Sequence, residues 1–218
     1  MVTVSRDGDG DGEADVRVLP DLHAVMARID DGTLTAAAID IPIGLPPAGP
    51  RRADVEARRQ LGPRRSSVFP APVRAVLAAS TYEEACALSR AASGKAISKQ
   101  LFNILPKIRE VDQLVTPLHQ RHLFEMCPEL SLAVLDGAPM AYAKTTAAGR
   151  AERLHALGNV FGPAELERHL RPVPSGARAD DVIDAFAGAW TARRFAAGAH
   201  LQLGGDVDER GLRMEVVA

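Results

Sequence analysis

Cysteine is nearly absent. Cys86 and Cys127 are the only two in 218 residues, too few for a disulfide framework or a cysteine-built zinc site, and the pair suits a reducing compartment. Aromatic residues number only nine, and none forms the interleaved aromatic and basic platform on which single strands stack. Long hydrophobic runs are missing too: the apolar stretch at 35–46 falls well short of the roughly 18 residues of a membrane span. The first residues carry acids where a signal peptide needs a basic flank and an apolar segment. These absences lead to the expectation of a cytoplasmic protein with no membrane partner. No internal repeat and no linker divides the chain, so a single domain over 1–218 is expected.

Lysine is the remaining scarcity, with 4 Lys against 22 Arg. A compact ammonium does not replace a planar guanidinium, so the three lysines within thirteen residues, Lys95, Lys99 and Lys107, hint at a role that Arg fills badly. What is plentiful is ordinary for a folded domain: hydrophobic residues at 46% and charged residues at 25% suffice for a core and exclude wholesale disorder. The net charge of −2 hides an uneven distribution, −5 over residues 1–34, +8 over 51–109 and −4 over 110–218. A basic middle is compatible with a phosphate-bearing partner. A solvated, arginine-rich surface accounts for the same charge.

Local signals place the elements. Residues 2–4 and 16–19 read as a hairpin around the Asp/Gly-rich stretch 7–15. That stretch imitates the opening of a calcium loop with Asp7, Asp9, Asp11 and Gly12, but Val18 stands where the bidentate Glu is required. Asp21 caps a short helix, and 35–41 is a nearly continuous apolar strand interrupted only by Asp40 and stopped by Pro42 and Pro46. Residues 53–61 read as helix and 62–74 as loop. Thr81 and Glu84 form a capping box for a helix to residue 93. Helical spacing resumes at residue 98, and Pro106 is expected to kink or break it. A strand at 122–126 leads into Pro128, which opens a helix. Helices follow at 147–157, 163–170 and 179–197, the first two separated by Gly158, and then a hairpin over 199–218.

Three acidic positions combine with this layout. Asp40 ends a buried strand before a Pro/Gly loop, a usual place for chemistry in α/β folds. Glu129 follows another strand. Asp180, Asp181 and Asp184 open the longest helix, with Asp184 sharing a face with each of the other two. The helix dipole accounts for acids in a first turn, though less well for Asp184. Neighbouring carboxylates repel unless a cation neutralises them, and hard divalent ions such as Mg²⁺ or Mn²⁺ fit an all-oxygen set. Arg64, Arg65, Ser66, Arg74, Lys99 and Lys107 are candidates for holding phosphates. The six histidines are scattered, and Ser66 and Ser67 have no His–Asp partnership.

Five ordered strings carry a resemblance: IDIPIGLP at 39–46, RRSSVFPAPVR at 64–74, SKQLFNILPKIREVD at 98–112, FEMCPELS at 124–131 and DDVIDAFAGAWTARR at 180–194. Over residues 16–198 the chain resembles domain-of-unknown-function family 429, whose members are predicted RNase H-like nucleases. The resemblance implies an α/β fold, a ribonuclease H-like mixed sheet flanked by helices whose first three strands are antiparallel. It implies that Asp40, Glu129, Asp181 and Asp184 are the catalytic metal ligands, the last two similar to the helical acids of Holliday-junction resolvases. The implied cofactor is a pair of Mg²⁺ or Mn²⁺ ions, the implied partner a nucleic acid, and the implied reaction phosphodiester hydrolysis by two metals.

Two departures stand out. Members usually begin with a strand carrying Gly-x-Asp-x-x-x-Gly-Trp, and Met1 to Val4 align with the segment beyond that strand. The fold is therefore expected to lack the usual first strand and to pair as a homodimer through the exposed edge. The usual His before Pro-Glu is Cys127. Two other classes therefore stand beside the nuclease: a catalytically impaired nucleic-acid or nucleotide binder of the same fold, and an actin-like phosphotransferase. The latter needs a Gly-rich phosphate loop, for which residues 8–12 are a poor candidate.

Overall fold

A computed structural model describes residues 1–5 and 13–218. Asp7, Asp9, Asp11 and Gly12, and with them most of the expected turn, lie outside the described residues. The remainder is a mixed α/β structure, about 52% helical, with eight α-helices and six short strands. No helix among the described residues is long and apolar enough to cross a membrane.

Strands β1 (Val2–Ser5) and β2 (Asp15–Val18) form an antiparallel hairpin in the register Val2 to Val18. Strand β3 (Ala37–Ile39) pairs in parallel with β4 (Leu123–Glu125), and β5 (Gln202–Val207) pairs antiparallel with β6 (Arg213–Val217). A single bridge from Met126 to Val217 links β4 to β6. The expected single mixed sheet is thus present as three two-stranded pieces. The physical reason is local: β1 and β3 both pack on one helix, α8 (Ala179–Ala196), without pairing with each other.

Most helices begin and end where capping chemistry directs. Helix α3 (Tyr82–Ser93) carries the expected capping box, with Thr81 accepting from the Glu84 N–H and Glu84 accepting from the Thr81 N–H. Helix α5 (Pro128–Asp136) opens on Pro128. Helix α4 (Lys99–Leu114) is not broken at Pro106, and Leu101, Leu105, Ile108 and Val111 are buried on both sides of it. One expectation is corrected. Helix α6 (Ala147–Phe161) continues past Gly158 and ends at Gly162, whose φ of 86° suits a chain reversal into α7 (Pro163–Leu170). The remaining helices are α1 (His23–Asp30) and α2 (Arg52–Leu61). The 62–74 segment expected as loop contains a 3₁₀ turn at Gly62–Ser67.

The largest apolar cluster gathers Val182, Ile183, Phe186 and Trp190 of α8 with Leu157, Phe161 and Leu166 of α6 and α7. Between the clusters lies a polar centre. Arg51 has no exposed side-chain surface. It donates to both Glu125 carboxylate oxygens at 2.6 Å and to both Asp54 oxygens at 2.6 and 3.2 Å. Its Nη1 also reaches the Ile43 carbonyl at 3.2 Å, while Glu125 accepts from the Ile43 N–H at 2.8 Å. Burial works against the charged guanidinium, but Glu125 and Asp54 beside it hold its pKa above the ordinary value. Burial pushes Glu125 upward and Arg51 draws it back down. Arg does not deprotonate, so an ionised cluster is the state these contacts satisfy.

Arg51→Met leaves two buried carboxylates facing each other with no cation. The expected cost is about 3–5 kcal/mol of stability, read from urea denaturation. Arg52→Met, next in sequence but exposed, should cost no more than about 1 kcal/mol.

Candidate functional site

Where β1 and β3 approach each other without pairing, they leave a groove of about 430 Å³. Its floor is the face of α8 bearing Ala185, Gly188, Ala189 and Ala192, none larger than a methyl group. Leu22 and Val25 of the α1 region and Val111 of α4 cover it from the other side. Asp40, Asp181 and Asp184 line the same groove, although Asp40 and Asp184 are 144 residues apart in sequence. The helix explains the arrangement: Gly188 lies against Ala38, so Asp184, one turn earlier, falls beside Asp40, two residues further along.

Asp40 sits in a field of like charge. It has surface area open to groove water, yet protein crowds its other sides, and this desolvation raises its pKa to about 8, with the Asp184 and Glu125 charges adding to the rise. Lys144 opposes them. Its Nζ lies 3.4 Å from the Asp184 carboxylate, and its own pKa is raised, against burial, by Asp184, Asp40 and Asp180. Asp184 is raised by burial and by Asp180 and Glu129, and lowered by Lys144. Cys127, next to this group, is pushed up to about 12 by burial and by Asp40, which leaves it an unreactive thiol.

The four acids expected as ligands are therefore not equivalent. Asp40 and Asp184 both line the groove, and the Lys144 ammonium lies beside Asp184. Glu129 is buried and gripped by Arg153 through two hydrogen bonds, 2.6 and 2.8 Å; it faces Asp184 electrostatically but does not line the groove. Asp181 lines the groove and accepts from the Arg178 N–H at 2.8 Å, capping α8. The one group of three metal-type ligands whose atoms lie within 4.8 Å of one another, among the described residues, is Asp21, His23 and Glu110. There Asp21 accepts from the Ala24 N–H and Glu110 from the Leu22 N–H, so both carboxylates already serve the start of α1.

The candidate phosphate contacts divide in the same way. Arg64 donates to the Met140 and Ala141 carbonyls. Arg74 pairs with Asp112, Asp208 and Glu209. Lys99 rests over the rings of Tyr82 and Phe102, 4.5 and 5.1 Å from their centroids. Arg65 and Ser66 are exposed, and Lys107 lines the groove. Sequence reasoning missed Lys144. Its signal was present, since a lone lysine in an arginine-dominated chain is as unusual as a cluster of three. Arg51, Glu125 and Asp54 were missed because no local pattern marks a buried charge.

The family model described as "Protein of unknown function (DUF429)" matches residues 1–209, and the chain belongs to that family. The match extends beyond residues 16–198, where the motifs fall. No curated protein and no solved structure matches the chain.

An acid whose folded pKa exceeds its ordinary value of 3.8 binds its proton more tightly in the folded state. Stability therefore falls as pH rises from about 4 to about 8, and the penalty is complete above that. Asp40→Asn should flatten this fall, so that the variant is the more stable form at pH 8.5 and its advantage shrinks towards pH 4. Paired urea titrations across that range check it; equal pH slopes would mean that Asp40 titrates as an ordinary surface acid.

Proposed function

We propose, from membership of this family and from the Asp40–Asp184 pair, that the protein is a metal-dependent nuclease of RNase H-like fold that hydrolyses phosphodiester bonds. The observation that carries the reading is the convergence of a strand-end acid and a helix acid in one groove. Desolvation raises both of them there, the Asp184 charge adds to the rise at Asp40, and Lys144 compensates the pair only in part. Such a pair is suited to a hard divalent ion with oxygen ligands, Mg²⁺ or Mn²⁺.

The residues fit one such ion better than two. Asp40 and Asp184 would hold it. Glu129 would have to leave Arg153, and Asp181 its helix cap, to complete a second set. When bound, the ion supplies Lewis-acid polarisation of the phosphodiester and a water of lowered pKa. The protein supplies the rest. Asp40 releases its proton on binding, so affinity for the cation rises with pH through about 8. Asp184 lies beside Lys144, and the Lys144 ammonium would be within reach of a phosphate oxygen on the bound ion. Lys107 carries positive charge into the same groove, and Arg65 and Ser66 remain free for a nucleic-acid backbone. With Arg64, Arg74 and Lys99 engaged internally, the basic surface is smaller than the sequence suggests. Binding to nucleic acid should accordingly show a shallow salt dependence.

The test is cleavage of end-labelled RNA, DNA and hybrid strands with Mg²⁺ or Mn²⁺. Asp40→Asn and Asp184→Asn should each lower the rate by roughly two orders of magnitude or more, consistent with loss of metal-mediated charge stabilisation. Asp21→Asn and Glu110→Gln, in the other acidic group, should leave it within a few-fold. Cleavage that survives chelation, or that Asp184→Asn leaves intact, would defeat the proposal.

A further inference from the structure

Apart from Asp40 and Asp184, one other set of metal-type side chains converges from two helices. Asp21 stands just before α1, His23 is its first residue, and Glu110 belongs to α4. Their ligand atoms lie within 4.8 Å of one another, with both carboxylates half-buried and the imidazole exposed. Hydrogen bonds at the start of α1 orient this set without using it up. Asp21 Oδ1 accepts from the Ala24 N–H at 3.2 Å and Glu110 Oε1 from the Leu22 N–H at 2.8 Å, so each carboxylate keeps its second oxygen. Among the described residues, neither acid has an ion pair and His23 has no hydrogen-bond partner. Arg109, the residue before Glu110, donates instead to the Leu77 and Ala79 carbonyls. The positive end of α1 supplies about half a charge, against two from the carboxylates. Two half-buried negative charges beside an imidazole, with no cationic side chain on either, point to a cation from outside the chain.

We infer that Asp21, His23 and Glu110 form a binding site for one divalent transition-metal ion of the zinc class, which clips the start of α1 to α4. The donor set selects the metal. The groove acids offer oxygen alone and suit Mg²⁺ or Mn²⁺, whereas an imidazole nitrogen with two carboxylate oxygens suits Zn²⁺. Three protein ligands leave a fourth position for water. Tetrahedral donors about 2.1 Å from one ion stand about 3.4 Å apart, so the three draw together by up to about 1.4 Å on binding. The exposed His23 has the freedom to make that movement. The two carboxylates are already held by backbone N–H groups, the kind of outer contact that orients ligands in metal sites. The ion reinforces the tie, across 88 residues, that the Leu22–Glu110 bond makes.

The clip goes beyond the nuclease reading and does not depend on it. The cleavage assay contains no zinc, and the tests of the clip use no activity, so either idea can fail alone. Calorimetric titration of the full chain with Zn²⁺, in excess Mg²⁺, should show one tightly bound Zn²⁺ per chain. In the NMR spectrum the ring resonances of His23 should shift, and those of the other five histidines should not. Exchange at the Leu22 and Ala24 amides, which donate to the two carboxylates, should slow at least about tenfold on zinc binding. His23→Ala changes an exposed residue, and Glu110→Gln keeps an oxygen for the Leu22 N–H. Both should retain the parent circular dichroism and weaken Zn²⁺ binding at least about tenfold. The double variant Asp40→Asn/Asp184→Asn should bind Zn²⁺ as the parent does. Undiminished binding to folded His23→Ala, shifts at other histidines in place of His23, or loss of the zinc in folded Asp40→Asn/Asp184→Asn overturns the inference.

Discussion

The Arg51 guanidinium, with no exposed side-chain surface, joins the loop after β3 and the start of α2, which flank it in sequence, to the end of β4, 74 residues away. Everything nearby is oriented by it. Glu125 and Asp54 would repel each other without it, and each also accepts a backbone N–H, from Ile43 and Ala71 respectively. The loop leaving Asp40 is thereby anchored at Ile43, three residues on. It is fixed again where Leu45 donates to Asp208, the same carboxylate that Arg74 binds. Gly44 lets β6 come close, since an added Cβ would stand 2.8 Å from Met214 and its φ is 74°. Asp40 is thus held at the end of a three-residue strand by charges one layer behind it rather than by long sheet pairing.

That scaffold sets the electrostatics of the groove. Arg51 answers Glu125 and Asp54, and Arg153 answers Glu129, each by direct charge-assisted hydrogen bonds. Asp40 and Asp184 are left with one ammonium between them. The contrast in residue type is informative. Where a planar, bidentate contact is needed the chain uses arginine, and where a single mobile charge faces two carboxylates it uses lysine. A guanidinium in place of Lys144 would lock onto Asp184, whereas an ammonium at 3.4 Å is more easily given up.

Much of the local structure was legible because its causes are local. Thr81 and Glu84 cap α3 by contacts within four residues. Pro128 opens α5, and the apolar face of α8 places Phe186 and Trp190 in the core. What was not legible has the opposite character. Pro106 does not break α4, where tertiary burial on either side outweighs one missing hydrogen bond. In the RRSSVFPAPVR segment, read as a candidate phosphate-binding edge, Arg64 and Arg74 reach carbonyls and carboxylates of distant segments, 76 and 134 residues away. At the acids, Asp40 and Asp184 were visible from strand-end and helix-face logic. What made Glu129 and Asp181 different, a buried arginine and a helix cap, depends on neighbours that spacing does not reveal.

The acids and the groove share a wall, and this ties charge to access. Asp40 continues directly from Ala38 and Ile39, which line the groove, while Asp184 precedes Gly188 of the α8 floor by one turn. Any group that displaces groove water from the inner side of Asp40 deepens the desolvation that already raises it, and makes the carboxylate pair harder to leave without a cation. Lys144 is the partial counter-charge on which that demand falls, because its ammonium already answers Asp184 and feels Asp40.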